Sequence, residues 1–572
     1  MLTLGLNAYN HNASASLARD GGLLYAAEEE RFNRIKYSDA FPDGALEAGF
    51  RTLGVAPDEV ATVAYCWDWR RGVAPRARYA LGRFWDPVAL YYLGGFDRRE
   101  RMRRIRELPV EAATKGLRRA RFMRVPHHLA HAASAFYPSP YERAAVLTID
   151  GVGEWESTWM GIGEGLHLTP IHSVSFPHSL GLAYDAVCQF LGFRKTDDAG
   201  KVMGLSAYGD PGRFAATFRD WIQLQDDGTF HINPRYVTWP RYYGYGKHPL
   251  YSTHLVEALG PPRRPGEPIA AHHRDAAAAC QRRFEEAVVH LARALARRTG
   301  LNKLCLAGGC ALNCLANHLI RRESDFAEVF VFPAAADAGA GAGAALWASV
   351  QFSRQRQPLT RVALGPESAY DECRLALAET GLPIQQPADL AAACAERLAQ
   401  GRIVGWVQGR MEFGPRALGQ RSLLADPRVA SMKNRMNERV KHRESFRPFA
   451  PVCPAEAARD YFDLPDESPW MMFAVPVRPD KRSLIPAVTH EDGTARVQTV
   501  RAEENPPLHR LLRAFGERTG APVLLNTSFN LAGEPVVCSA RDAVRCFLRT
   551  GIDALAMGPY LVVKPETMDV SR

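Results

Sequence analysis

The chain has 572 residues, is 47% hydrophobic and 23% charged, and carries a formal net charge of +9, a composition that excludes disordered, collagen-like and disulfide-framed proteins. Single hydrophobic cores stop growing near about 250–300 residues, so more than one domain is required. No uninterrupted apolar run reaches the roughly 18 residues of a membrane-spanning helix. Met1 leads straight into an apolar segment without a basic leader, and the eleven cysteines are scattered with no Cys-x-x-Cys pair; a cytoplasmic protein with reduced thiols and no membrane partner is expected.

Leu2 to Asn7 reads as a strand, followed by the polar bend Tyr9-Asn10-His11-Asn12, a strand from Ala13 to Leu17, the turn Asp20-Gly21-Gly22 and a strand from Leu23 to Ala27. From Asp97 to Arg124 there are eleven Lys/Arg against four Asp/Glu, with Phe122 the one aromatic residue. Such a run serves either a phosphate or nucleic-acid contact or a solvated arginine-rich face. The lack of interleaved aromatics speaks against a stacking platform for single strands.

In Pro126-His127-His128-Leu129-Ala130-His131 the outer histidines stand four residues apart, which is about 40° around a helix axis. Two imidazoles on one helical face suit zinc or iron when carboxylates join them. Taken alone, such a pair is more often two core or partner histidines.

Ala144 to Ile149 reads as a buried strand, Asp150-Gly151-Val152-Gly153 as a tight bend and Ser157 to Gly161 as a second strand. This repeats the opening strand-bend-strand pattern and predicts a duplicated α/β domain, with polar bends facing each other across a cleft. A long helix follows from Ala270 to Arg298. Lys303 to Ala307 is a strand that opens into Gly308-Gly309, a phosphate platform or a tight strand-to-helix turn. Val329 to Phe332 gives another strand, and Asp337 stands at a strand-to-helix junction before the run Gly339-Ala340-Gly341-Ala342-Gly343. That run suits close helix packing as well as a cofactor.

Gln351 to Pro366 is polar and contains arginine and proline, so residues 351–366 read as a linker between domains at 1–350 and 367–572. Beyond it, glycine and proline hold arginine-bearing loops at Gly409 to Ser422, Val440 to Glu444 and Arg447 to Pro451. With Arg496 and Asn526-Thr527-Ser528 these predict a converging anion pocket, because guanidinium forks match phosphate and carboxylate oxygens.

Several of these segments carry a resemblance. The nine residues 127–135, Lys201-Val202-Met203-Gly204-Leu205, the arginine block at 414–422, Arg447-Pro448-Phe449-Ala450-Pro451 and the six residues 525–530 resemble the O-carbamoyltransferases of antibiotic tailoring and nodulation-factor modification. The resemblance implies an N-terminal actin-like ATPase (ASKHA, Kae-like) duplicated α/β domain and a C-terminal YrdC-like α/β domain. It implies that the C-terminal domain makes carbamoyl-adenylate from ATP and carbamoyl phosphate. A metal site in the N-terminal domain would then pass the carbamoyl group to a hydroxyl of a small-molecule acceptor, a natural product or a sugar.

Carried over by position, His127, His131, Asp150 and Asp337 match the family's metal ligands, with iron the usual divalent ion and magnesium a further candidate. Arg416, Lys441 and Arg447 match catalytic cations, and Arg496, Asn526 and Ser528 match binding residues of the same pocket. Lys201, Gly308, Gly309 and Asn313 match nucleotide-side elements. His11 matches a histidine near the transfer site, where it serves as base or hydrogen-bonds its own bend, and His128 is either structural or an orienting neighbour of the metal. A homodimer is implied, and nucleic acid is not an expected partner. Two other readings stay open: a tRNA threonylcarbamoyl-type enzyme with the basic segment as RNA contact, and a catalytically inactive nucleotide-binding regulator. The bend around His11 lacks the acidic neighbour of some members, and the basic segment falls outside the family pattern, so the acceptor is undetermined.

Overall fold

The computed structural model describes residues 1–93, 99–194, 198–242 and 248–565. The chain divides into two compact units, the first comprising Met1–Leu24, Asp39–Leu46 and Leu53–Leu359 and the second Tyr25–Ser38, Glu47–Thr52 and Thr360–Arg572.

The first unit is organised on two five-stranded sheets. One holds β1 (Leu2–Asn7), β2 (Ser14–Arg19), β3 (Gly22–Glu28, of which Gly22–Leu24 belong to the first unit), β4 (Val60–Tyr65) and β5 (Arg121–Arg124) in the order β3-β2-β1-β4-β5. The other is formed by β6 (Arg143–Ile149), β7 (Glu156–Glu164) and β8 (His167–Ser175) with two later strands. Between them in sequence comes a small hairpin of β9 (Ile222–Leu224) and β10 (Phe230–Ile232). The later strands, β11 (Lys303–Ala307) and β12 (Glu328–Val331), give the order β12-β11-β6-β7-β8.

In each sheet the first strand pairs antiparallel with its successor on one side and parallel with a crossover strand on the other. The same topology therefore occurs twice, as the repeated strand-bend-strand pattern predicted. Differences lie at strand ends: β7 runs to Glu164, beyond the expected Gly161, because its ladder with β8 continues to Glu164 opposite His167.

Two helices position the site. One spans His127–Phe136 and the other Asp337–Ser353. The glycine and alanine run of the second lets backbones meet. A Cβ at Gly5 of β1 would run into the Gly341 carbonyl, one at Gly343 into the Ala130 carbonyl of the histidine helix, and one at Gly341 would stand 2.7 Å from Ser14 Oγ. Hydrogen bonds from Thr3 Oγ1 to the Ala345 carbonyl (3.1 Å) and from Ser14 Oγ to the Ala338 carbonyl (2.9 Å) close the same seam. Of the two readings of this run, helix packing is the one observed.

The helix Arg99–Thr114 occupies most of the basic segment; Asp97 and Arg98 lie outside the described residues. Ile105, Leu108 and Ala112 are its buried face. Arg104 lies 4.6 Å over the Tyr9 ring and Arg106 4.8 Å over Trp69, while Arg103 pairs with Glu100 and Glu107 at the surface. After Ser353 the chain stays on the first unit, where the Gln357 N–H donates to the Gly21 carbonyl (3.1 Å) and the Leu359 N–H to the Pro138 carbonyl (2.8 Å).

The second unit is built on a seven-stranded mixed sheet. Its strands are β13 (Val404–Val407), β14 (Arg421–Ala425) and β15 (Ala450–Pro454), then β18 (Gln498–Val500), β19 (Leu524–Ser528), β20 (Ala554–Met557) and β21 (Tyr560–Val563). They lie in the order β18-β15-β19-β14-β13-β20-β21, and a two-stranded sheet pairs β16 (Ala474–Pro476) with β17 (Thr494–Arg496). Trp406, Leu424, Val452, Leu511, Phe515 and Leu524 fill the core of this unit. No helix among the described residues is long and apolar enough to cross a membrane.

The backbone seam yields a direct test. Gly343→Ala forces a methyl group into the Ala130 carbonyl, and such overpacking costs about 1–3 kcal/mol. A lower thermal midpoint is expected by differential scanning fluorimetry; an unchanged or higher midpoint would contradict the close approach.

Candidate metal centre and cationic cluster

Glu154 fixes the start of the histidine helix. Its buried carboxylate accepts the backbone N–H of His127 at 3.0 and 3.1 Å and that of Asp68 at 2.7 Å. His127 Nδ1–H donates to the Cys66 carbonyl at 3.3 Å, which leaves the Nε2 lone pair pointing inward. That Nε2 lies 3.0 Å from Asp150 Oδ2 and 3.1 Å from His131 Nε2.

Asp150 follows β6, and its other oxygen accepts the Gly309 N–H at 3.0 Å. Gly308, at φ +90, brings the end of β11 so close to Ile149 that a Cβ there would strike the Ile149 carbonyl. The paired glycines, expected beside a nucleotide, thus commit one amide to holding Asp150. Asp337 opens its helix, with Oδ2 accepting from Asn10 Nδ2 at 2.6 Å and facing His11 Nε2 at 3.5 Å. Its Oδ1 lies 3.6 Å from His127 Nε2 and 3.7 Å from His131 Nε2 and accepts no hydrogen bond among the described residues.

One ligand atom from each of His127, His131, Asp150 and Asp337 lies within 4.8 Å of the others. Donors sharing one first-row cation at about 2.0–2.2 Å stand roughly 3–3.5 Å apart, close to the spacings here. Two inward imidazole nitrogens, two carboxylates and a buried carboxylate oxygen without a hydrogen-bond donor therefore fit a divalent metal. Electrostatics agree. Burial opposes charge on Asp150, yet the adjoining imidazoles of His127 and His131 hold it well below the usual carboxylate range. Asp337 is lowered likewise against its burial by His11 and His127. Burial pulls His11 down, but Asp337, Asn12 and Asp150 raise it overall.

His128 belongs to the packing. Its Nε2–H donates to the Glu156 carbonyl at 3.0 Å and its Nδ1 accepts from Thr148 Oγ1 at 2.6 Å, so both nitrogens are engaged. Burial, with His127 and His131 nearby, pushes it down to about 3. Asn313 caps the helix Cys314–Glu323 by accepting the Ala316 N–H at 3.1 Å, and Lys201 pairs with Asp198 at 3.2 Å. Asn10, Glu154 and Trp67, whose ring lies 4.9 Å from that of His127, are the neighbours that sequence reasoning missed. Asn10 had one signal, its place beside His11.

In the second unit Lys441 ends a π-helical turn, Asn437–Lys441, after which His442 takes a left-handed conformation. Its buried ammonium donates to the Ser528 carbonyl, to the Asn530 carbonyl at 3.1 Å and to Asn530 Oδ1 at 2.7 Å. Burial, then Arg443 and other cations, lowers Lys441 well below the ordinary lysine range. Arg443 falls to about 9 through burial and the repulsion of Arg447 and Arg496. Lys441, Arg443, Arg447 and Arg496 thus form one crowded cationic cluster; Arg443 was within the arginine motifs but not singled out.

Asn526 Nδ2 donates to the Ala417 carbonyl (3.1 Å) and to Gln498 Oε1 (2.7 Å), tying β19 to the loop bearing Arg416. Arg31, held by Glu28 at 2.5 Å and Glu30 at 3.0 Å, donates to the Gly414 carbonyl at 3.0 Å on that loop. Buried Arg421 donates to the Gly409 and Gln420 carbonyls, both at 3.0 Å, and so shapes the loop.

Two family models match the chain: "Carbamoyltransferase N-terminus" over residues 2–346 and "Carbamoyltransferase C-terminus" over residues 395–564. An uncharacterized protein of Synechocystis sp. is 38% identical, covering 98% of this chain and 96% of that protein. Nodulation protein NolNO of Sinorhizobium fredii is 39% identical over 98% of this chain and 80% of its own length. The 3'-hydroxymethylcephem-O-carbamoyltransferase of Amycolatopsis lactamdurans is 31% identical over 96% of each.

A ligand that binds only the folded form at 100 times its dissociation constant stabilises it by about 2.7 kcal/mol. Zinc(II) at such an excess is expected to raise the thermal midpoint, and His131→Ala or Asp337→Asn to remove the rise. Equal shifts in all three proteins would show that the cation sits elsewhere.

Proposed function

The chain belongs to the carbamoyltransferase family, whose enzymes transfer carbamoyl groups, and on that footing we propose that it makes carbamoyl-adenylate from carbamoyl phosphate and ATP and carbamoylates a hydroxyl of a small acceptor. The convergence of His127, His131, Asp150 and Asp337 beside His11 carries this reading.

In the activation half, water hydrolyses carbamoyl phosphate to carbamate and inorganic phosphate, and a carbamate oxygen then attacks the α-phosphorus of ATP and displaces pyrophosphate. Both reactants are polyanions. Arg416, Arg447 and Arg496 hold their oxygens while Lys441 adds charge from beneath, and a bound phosphate relieves the repulsion that lowers Arg443 and Lys441. Guanidinium forks also fix orientation, which is most of what phosphoryl transfer asks of a protein. Asn526 Oδ1, buried and without a hydrogen-bond donor among the described residues, is an acceptor of the kind a carbamoyl NH2 needs.

In the transfer half, the acceptor hydroxyl attacks the carbamoyl carbon and AMP leaves. The attacking oxygen must lose its proton. His11 Nδ1–H donates to Asn12 Oδ1 at 2.8 Å, which leaves Nε2 to take that proton. His127, His131, Asp150 and Asp337 would hold a divalent cation, iron being the first candidate, which would supply Lewis acidity for the carbamoyl oxygen. An acceptor with a primary hydroxyl fits a relative named for a hydroxymethylcephem. A cytoplasmic setting fits eleven cysteines that are all unpaired.

The halves separate by substitution. His131→Ala is expected to abolish carbamoylation of acceptor, read by mass spectrometry, while pyrophosphate release from ATP and carbamoyl phosphate persists. Arg447→Ala is expected to slow pyrophosphate release itself by about 10²–10³-fold, the usual cost of one charge-stabilising donor. Equal loss of both steps in both variants would contradict this division, and no pyrophosphate release by the unsubstituted protein would sink the adenylate route.

A further inference from the structure

The basic helix Arg99–Thr114, unexplained by the sequence, reaches the four-residue site through a relay of named atoms. Arg101 Nη2 donates to Asn10 Oδ1 at 2.8 Å, and Asn10 Nδ2 donates to Asp337 Oδ2 at 2.6 Å. The amide cannot be turned the other way, because its oxygen would then face a carboxylate and its NH2 a guanidinium. Asp337 is consequently held by one oxygen only, leaving Oδ1 open toward His127 and His131. Arg101 also lies 6.0 Å over the ring of Trp67, which contacts the His127 ring at 4.9 Å. One arginine thereby bears on two of the four ligand residues from outside, and its helix is anchored by buried Ile105 and Leu108.

We propose that Asn10, steered by Arg101, is the positioning residue that orients Asp337 and sets the affinity of the site for its divalent cation. The proposal rests on the cation reading above. It gives the basic segment a task within this unit. Partners one step beyond metal ligands typically contribute 10–100-fold in metal affinity by fixing ligand orientation.

Cobalt(II) tests this in the full-length protein, with its visible d–d bands reporting coordination and a competition titration giving the dissociation constant. Asn10→Ala is expected to weaken binding by about 10–100-fold and alter the bands. Arg101→Ala should weaken it in the same direction, and by a smaller factor in the Asn10→Ala background than in the unsubstituted protein. Arg103→Ala, on the same helix but in surface pairs, should bind as the unsubstituted protein does. Arg101→Lys, which keeps the charge and loses the fork, stands in if the alanine variant fails to fold and should also weaken binding. Unchanged cobalt(II) affinity in the folded Asn10→Ala and Arg101 variants would overturn the relay alone. No cobalt(II) binding by the unsubstituted protein would overturn the cation reading and the relay with it.

Discussion

Two carboxylates, a buried Asp337 and a largely covered Asp150, stand beside the same pair of imidazoles, and the architecture of the first unit follows from keeping them there. Like charges about 4 Å apart repel by about 4 kcal/mol at the effective dielectric of a protein. A hydrogen bond contributes roughly 0.5–1.5 kcal/mol. Hydrogen bonds alone therefore do not hold the two acids together; positive charge between them is required. His127, drawn well above its ordinary range by Asp337 and Asp150 against the pull of burial, shows the strength of that demand.

Around that charge the scaffold fixes each ligand residue through backbone and side-chain hydrogen bonds. Asp150 is pinned by the Gly309 amide, Asp337 by Asn10, and His127 by Glu154 and the Cys66 carbonyl. Glycine at 308, 341 and 343 lets strand ends and helices approach to backbone distance, so few long side chains intervene between the elements that carry the ligands. The second unit poses the opposite problem. There Lys441, Arg443, Arg447 and Arg496 crowd together, and burial with the repulsion of neighbouring cations lowers both Lys441 and Arg443. Such a concentration of positive charge suits the polyanionic substrates proposed for it.

Much of this was legible along the chain. The strand-bend-strand repeat announced the duplicated topology, β1 and β11 run where alternation and burial placed them, and the four-residue spacing of His127 and His131 put both on one face. Other features were not. The roles of Asn10 and Arg101 depend on a contact spanning 91 residues, and that of Asn10 with Asp337 spans 327. No local pattern encodes such pairs. Gly308-Gly309 allowed two readings that differ only in what lies opposite the Gly309 amide.

By itself the sequence determined which elements form and which chemistry is on offer, because helix and strand periods, capping residues and glycine positions are local properties of the chain. It placed two histidines one helical turn apart and the arginines on loops stiffened by glycine and proline. The tertiary structure decided which carboxylate oxygen faces inward, which histidine is only packing, and which arginine of the basic segment meets the site. Those choices depend on distances between residues hundreds of positions apart, and only close packing fixes such distances to the tenths of an ångström on which metal and proton chemistry turn.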